Sequence, residues 1–105
     1  MAELLSDDEL TRGLEGLSWT RQGDTIVTTV MRQDFVGSLA FVNGVGQLAE
    51  ARNHHPDIAI SWNKVTLTLS THSAGGLTQA DLDLAAAIDA IEGSGAPDSP
   101  GSLPG

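Results

Sequence analysis

From Val65 to Leu69 the residues alternate, with Val65, Leu67 and Leu69 apolar and Thr66 and Thr68 polar, and Ser70 and His72 continue the polar parity. Successive side chains of a strand point to opposite faces, so this period puts the three apolar residues towards a core and His72 on the polar face. The preceding run, Ile58 to Trp62, is also strand-like, and Asn63-Lys64 between them suits a two-residue hairpin turn. With that turn Trp62 faces Val65, Ile60 faces Leu67 and Ile58 faces Leu69. Apolar then meets apolar, which is how register is specified where one face is buried. The same register pairs Ala59 with Thr68 and Asp57 with Ser70. Extended past Pro56 it sets His55 opposite His72, with Cβ atoms about 4.5–5.5 Å apart.

A second strand pair is expected between Leu17 and Val30, where Trp, Thr, Ile and Val flank Gly23-Asp24, another tight-turn dipeptide. Helices alternate with the two pairs. Ser6 caps a short helix over residues 7–14, with Glu9 closing a capping box and Leu5 and Leu10 as the staple. Asp34 caps a longer helix, Phe35 to Arg52, whose stripe is Phe35, Leu39, Val42, Val45, Leu48 and Ala49. Gly37, Gly44 and Gly46 inside it read as close-packing positions. Pro56 keeps the helix from continuing, because a proline drives the preceding residue out of helical angles; His54 and His55 fall at this junction. Thr78 caps a last helix with Asp81 at its third position, Leu77 and Leu82 as the staple, and Gly93 as its end. The resulting order is α-β-β-α-β-β-α, an α+β chain with one sheet covered by helices. Residues 1–92 form the single domain, and the Gly/Pro/Ser-rich residues 93–105 read as a disordered tail.

Five Lys and Arg against fourteen Asp and Glu give a net charge of −9, which disfavours direct contact with nucleic acid and anionic membranes. There is no cysteine, hence no disulfide and no thiolate chemistry. No apolar run approaches the roughly 20 residues of a membrane span, and the acidic start lacks the features of a signal peptide. A cytoplasmic setting is the default expectation.

All three histidines of the chain lie between positions 54 and 72. Imidazole exchanges protons near neutral pH without special tuning, so their concentration points to acid/base work. A three-histidine zinc site competes with that reading, but adjacent histidines rarely aim both rings at one metal. Read singly, Asp81 is a helix-capping carboxylate, Glu50 a solvated helix residue and Trp62 a core anchor.

Glu50, His54-His55-Pro56, Trp62, His72 and Asp81 stand in the order and spacing of a motif that resembles the pterin-4a-carbinolamine dehydratases. Asn63-Lys64-Val65, Leu69-Ser70-Thr71-His72 and Gly76-Leu77-Thr78 are similar to that family as well. The resemblance implies a two-layer fold, a four-stranded antiparallel sheet with helices on one face, assembled into homodimers or homotetramers. It also implies dehydration of 4a-hydroxytetrahydrobiopterin to quinonoid dihydropterin, the recycling step after aromatic amino acid hydroxylation, with no metal and no cofactor. By the same resemblance His54, His55 and His72 are the catalytic groups, His55 and His72 lying nearest the 4a carbon. Asp81 and Glu50 support them, Asp81 by orienting His72 or binding the edge of the site and Glu50 by polarising a histidine or holding the junction, and Pro56, Trp62, Ser70 and Thr71 border the pterin substrate. Many relatives carry Asp where this chain has Asn53. Other relatives of that type act only as partners or assembly factors of other proteins, the alternative to catalysis.

Overall fold

The computed structural model describes residues 3–94. In chain order they form α1 (Asp7–Leu14), β1 (Thr20–Gln22), β2 (Thr25–Met31), α2 (Phe35–Arg52), β3 (Asp57–Ser61), β4 (Lys64–Leu69), a short 3₁₀ turn (His72–Ala74) and α3 (Gln79–Ser94). The strands make one antiparallel sheet in the order β1-β2-β4-β3, so the α+β fold and the α-β-β-α-β-β-α order are as expected. Gly23-Asp24 turns β1 into β2, with Gln22 facing Thr25. Helix α3 runs to Ser94, past the expected stop at Gly93, and the rest of the expected tail lies outside the described residues.

Alternation decides the layers. Ile26 and Val30 of β2 and Val65, Leu67 and Leu69 of β4 are buried against Phe41 and Val45 of α2 and Leu84, Ala85 and Ile88 of α3. On the opposite face the aligned Thr29, Thr66 and Ala59 carry small or polar side chains, as suits a face open to water. The helices approach closely where glycine permits it. A Cβ on Gly44 would lie 3.1 Å from Ile91 Cδ1, which supports the close-packing reading there, whereas one on Gly46 would meet nothing within 4 Å.

The caps follow the sequence. Ser6 Oγ accepts from the Glu9 amide at 3.1 Å and Glu9 Oε1 from the Ser6 amide at 2.8 Å, two orphan donors satisfied reciprocally. Asp34 Oδ1 accepts from the Gly37 amide at 2.7 Å at the start of α2. Asp89 of α3 accepts from the Ser18 amide, the Ser18 hydroxyl and Trp19 Nε1, and so ties the lead into β1 to the helical layer.

The second hairpin departs from the expected register. Ser61 faces Lys64, so the turn residues are Trp62 and Asn63, and Ile60 faces Val65 while Ile58 faces Leu67. Alternation fixes only which face a residue occupies; sliding the partner by two positions still sets apolar on apolar. Long-range bonds choose between these solutions. The Arg32 amide donates to Asn63 O at 2.7 Å, the Asn63 side chain donates to Arg32 O, and Ser38 Oγ donates to Trp62 O at 2.7 Å. Trp62 is therefore not a core anchor: it sits at the turn with φ 53° and 65% of its surface exposed. His55 does not oppose His72 either. Continued beyond Asp57 and Thr68, the observed ladder sets His55 beside Ser70 and His54 beside Thr71.

Candidate functional site

The ends of α2, β4 and α3 meet at the opposite end of the hairpin from Trp62. Helix α2 stops in a Schellman motif: Asn53 adopts φ 50°, ψ 44°, its amide donates to Glu50 O, and the His54 amide donates to Ala49 O at 3.0 Å. Asparagine tolerates the left-handed region better than most side chains, so Asn53 has a conformational reason to be there. The sharp exit sends the two histidines in different directions, as two adjacent residues of extended chain require.

His54 is directed inward. Its ring is 15% exposed, and Nε2 lies 2.6 Å from Oδ1 of Asp81, whose side chain has no solvent exposure. The other carboxylate oxygen, Oδ2, accepts from the Thr71 hydroxyl at 2.7 Å and from the Thr78 amide at 2.9 Å. Asp81 is thus both the cap of α3 foreseen from sequence and the partner of a histidine, one oxygen for the cap and one for the ring. That histidine is His54, not His72 as expected. His55 is directed outward. Its Nε2 lies 2.6 Å from Glu50 Oε2, one helical turn earlier on α2, and both side chains are largely exposed, so solvent screens the pair.

His72 opens the 3₁₀ turn after β4. Its ring is exposed, and among the described residues it has no side-chain hydrogen bond. The loop behind it is closed by a pairing of Thr71 with Gly76, and Gly75 supplies the left-handed φ of 79° that returns the chain. A cleft of about 250 Å³ is lined by Asn53, His54, His55, Ser70, Thr71, His72 and Ser73. The structure therefore brings all three histidines to one cavity, although by a route other than direct cross-strand pairing. Ser70 is half-buried in its wall; Thr71 is buried beneath it, bonded to Asp81. Pro56 is half-buried after the histidines and outside the lining, and Trp62 lies at the far end of the hairpin. Among the described residues no group of three or more His, Asp or Glu is placed to hold a metal ion.

Two members of the site were not singled out from sequence. The sequence gives Thr78 the duty of a cap and marks Asn53 as a departure, yet one contacts the Asp81 carboxylate and the other aims His54. The Thr78-to-Asp81 capping spacing was the available signal, but a cap spacing does not disclose what the second carboxylate oxygen faces.

An imidazole backed by a buried carboxylate, a second imidazole paired to an exposed one and a third left free, all on one cleft of a two-layer α+β fold, define a site equipped for proton transfer. The chain belongs to the pterin 4 alpha carbinolamine dehydratase family, whose sequence profile it matches over residues 3–91. It is 56% identical over 92 residues to a protein of Roseiflexus castenholzii, covering 87% of this chain and 99% of that one. It is 52% identical over 90 residues to one of Nocardia farcinica, covering 85% and 95%. Both relatives carry the provisional description pterin-4-alpha-carbinolamine dehydratase. Among solved structures, a protein of Brucella melitensis described as a transcriptional coactivator/pterin dehydratase superposes with a TM-score of 0.80 at 30% identity, over 84% of this chain and 97% of that one. A pterin dehydratase-like protein identified as a RuBisCO assembly factor in the alpha-carboxysome superposes with a TM-score of 0.63 at 26% identity, over 74% and 93%.

Proposed function

We propose that this chain dehydrates a pterin-4a-carbinolamine to the quinonoid dihydropterin, the recycling step that follows an aromatic amino acid hydroxylase. The observation that carries the reading is the convergence of all three histidines on one cleft, two of them held by carboxylates. Loss of water from the 4a carbon needs an acid to protonate the departing hydroxyl and a base to take the proton from N5 as its electron pair forms the C=N bond. The proton given and the proton taken balance in number, the protein is reset once the acid regains a proton from water and the base releases one to it, and the step needs neither metal nor cofactor. His54 suits the base, since its orienting partner is buried and its ring is fixed. His72 and His55, closer to solvent, suit the acid and the exchange of protons with water. Ser70 in the cleft wall has a hydroxyl available to the pterin edge.

The cleft is smaller than the roughly 300–1,000 Å³ of most small-molecule sites, so part of the bicyclic substrate projects from it. We take the protein to be a cytoplasmic homodimer or homotetramer. Support comes from β3, an edge strand in which Asp57 to Ser61 carry neither the proline nor the lysine that commonly blunt such edges. Exposed Ile58, and Val36 and Leu39 of α2, add apolar surface. No helix among the described residues is long and apolar enough to cross a membrane.

Stopped-flow absorbance of 4a-hydroxytetrahydropterin dehydration tests the reading on wild type and on His54→Ala, His55→Ala and His72→Ala. Wild type no faster than buffer would leave a partner-binding or assembly role as the reading. Variants as fast as wild type would remove the histidines from the reaction.

A further inference from the structure

We propose that Thr71 and Thr78 are positioning residues: a directed chain of buried hydroxyls fixes the Asp81 carboxylate and, through it, sets the tautomer of His54. Nδ1 is then the nitrogen that exchanges a proton with substrate. The catalytic half of this statement rests on the dehydratase reading; the tautomer does not.

The direction of the chain follows from counting protons. A threonine hydroxyl has one proton to donate. Thr71 Oγ1 gives its proton to Asp81 Oδ2 at 2.7 Å, so at its 2.8 Å contact with Thr78 Oγ1 it must accept. The sequence of donation is Thr78 to Thr71 to Asp81. Oδ2 also takes the Thr78 amide at 2.9 Å, which leaves Oδ1 to His54 Nε2 at 2.6 Å. A carboxylate can only accept, so Nε2 carries a proton, and in the neutral ring Nδ1 carries the lone pair. Water does not compete here, since Thr71 is 7% exposed, Thr78 2% and Asp81 0%.

The backbone prevents the network from rearranging. The Thr71 amide donates to Gly76 O at 2.8 Å and Thr71 O accepts from the Gly76 amide at 3.3 Å, which holds this residue where β4 ends. Thr78 immediately precedes α3, Asp81 belongs to its first turn, and His54 lies in the exit from α2. Three elements thus converge on one carboxylate. A purely structural role for the hydroxyls would satisfy the cap of α3 equally well but would not govern the ring, and that difference can be measured.

The experiment is long-range ¹H–¹⁵N correlation of the histidine rings in the ¹⁵N-labelled full chain, at a pH above the usual histidine range, with His54 assigned by its disappearance in His54→Gln. Wild type is expected to show His54 protonated at Nε2 and bare at Nδ1. Thr71→Val, which keeps the shape and removes the donor, is expected to give a mixture of both tautomers. Its kcat should fall roughly tenfold with KM little changed, short of the roughly hundredfold or more that loss of a general acid or base costs. Thr71→Ser should restore both readouts. A wild-type His54 protonated at Nδ1, a Thr71→Val ring spectrum identical to wild type, or a Thr71→Ser variant as impaired as Thr71→Val would each overturn the proposal. Should Thr71→Val not fold, the wild-type tautomer and Thr78→Val, for which a tautomer mixture is likewise expected, decide it. A chain without dehydratase activity whose His54 tautomer still responds to Thr71 would support the positioning and refute the dehydratase reading.

Discussion

Asp81 faces His54 across 2.6 Å from a carboxylate that has no solvent exposure and that also closes the N-terminus of α3. One side chain thus joins stability to chemistry, and its loss should register in both. Asp81→Asn places an amide among the Thr71 hydroxyl, the Thr78 amide and the His54 ring, where the charge that all three meet is gone. Leaving buried donors poorly matched costs about 1–3 kcal/mol, to be read from urea unfolding. Turnover should fall by roughly 10²–10⁴, the contribution of a positioned acid or base. An unfolding midpoint equal to that of wild type would contradict the network.

The pairing of His55 with Glu50 has the same 2.6 Å separation and a different consequence. The side chains are 53% and 78% exposed, so water and salt screen the pair, and exposed pairs contribute about 0–1 kcal/mol. Glu50→Gln should leave the unfolding midpoint nearly unchanged and reduce turnover less than Asp81→Asn does. A larger loss of turnover for Glu50→Gln would exchange the roles assigned to His54 and His55.

How far the sequence discloses this site can be judged from the same residues. Period-two alternation from Val65 to Leu69 determined the buried face, and the caps at Ser6 and Asp34 marked where α1 and α2 begin, because each rests on contacts within a few residues. The register of β3 on β4 is left open by alternation, since a shift of two positions still sets Ile60 and Ile58 against apolar residues of β4. It is chosen by Arg32 and Ser38, distant in sequence from the turn they grip. For that reason the sequence register sets His55 against His72 and gives no sign that His54 is the histidine with the buried partner. A buried carboxylate with two different duties cannot be read from a cap motif, because the second duty faces His54, in the exit from α2 and distant in sequence.

His72 separates chemistry from folding. Its ring is exposed and makes no side-chain hydrogen bond among the described residues, so His72→Ala should alter stability by no more than about 0.5 kcal/mol. Turnover should nevertheless drop if the ring supplies the acid. Thermal unfolding beside the dehydration assay makes the comparison; unchanged turnover would remove His72 from the reaction.

The capping box of α1 predicts a pH dependence. Hydrogen bonds from the Ser6 amide and hydroxyl hold the Glu9 carboxyl below its ordinary value of 4.5, outweighing an opposing desolvation, with the Arg12 guanidinium adding the smallest contribution. A carboxyl whose folded value is depressed stabilises the fold above its unfolded value, and that contribution is lost as pH falls through the folded one. Glu9→Gln, which keeps a capping side chain, should therefore lower the melting temperature at neutral pH. The difference should vanish in acid, and a pH-independent difference would show that charge plays no part in this cap.

Trp62 occupies the left-handed region at φ 53° with 65% of its surface exposed. A bulky side chain there is strained by about 1–3 kcal/mol, and glycine would relieve the strain while giving back roughly 0.5–1 kcal/mol through the greater freedom of the unfolded chain. The dissociated subunit of Trp62→Gly should on balance gain roughly 0.5–1 kcal/mol in urea unfolding at high dilution. An exposed indole held at a local cost fits a surface that another subunit covers, together with the edge of β3 and the exposed residues of α2. Sedimentation equilibrium should then show weaker self-association for Trp62→Gly, even as each dissociated subunit becomes harder to unfold. Wild type that stays monomeric across the concentration range would refute the assembled state, and a less stable dissociated subunit in the variant would refute the strain.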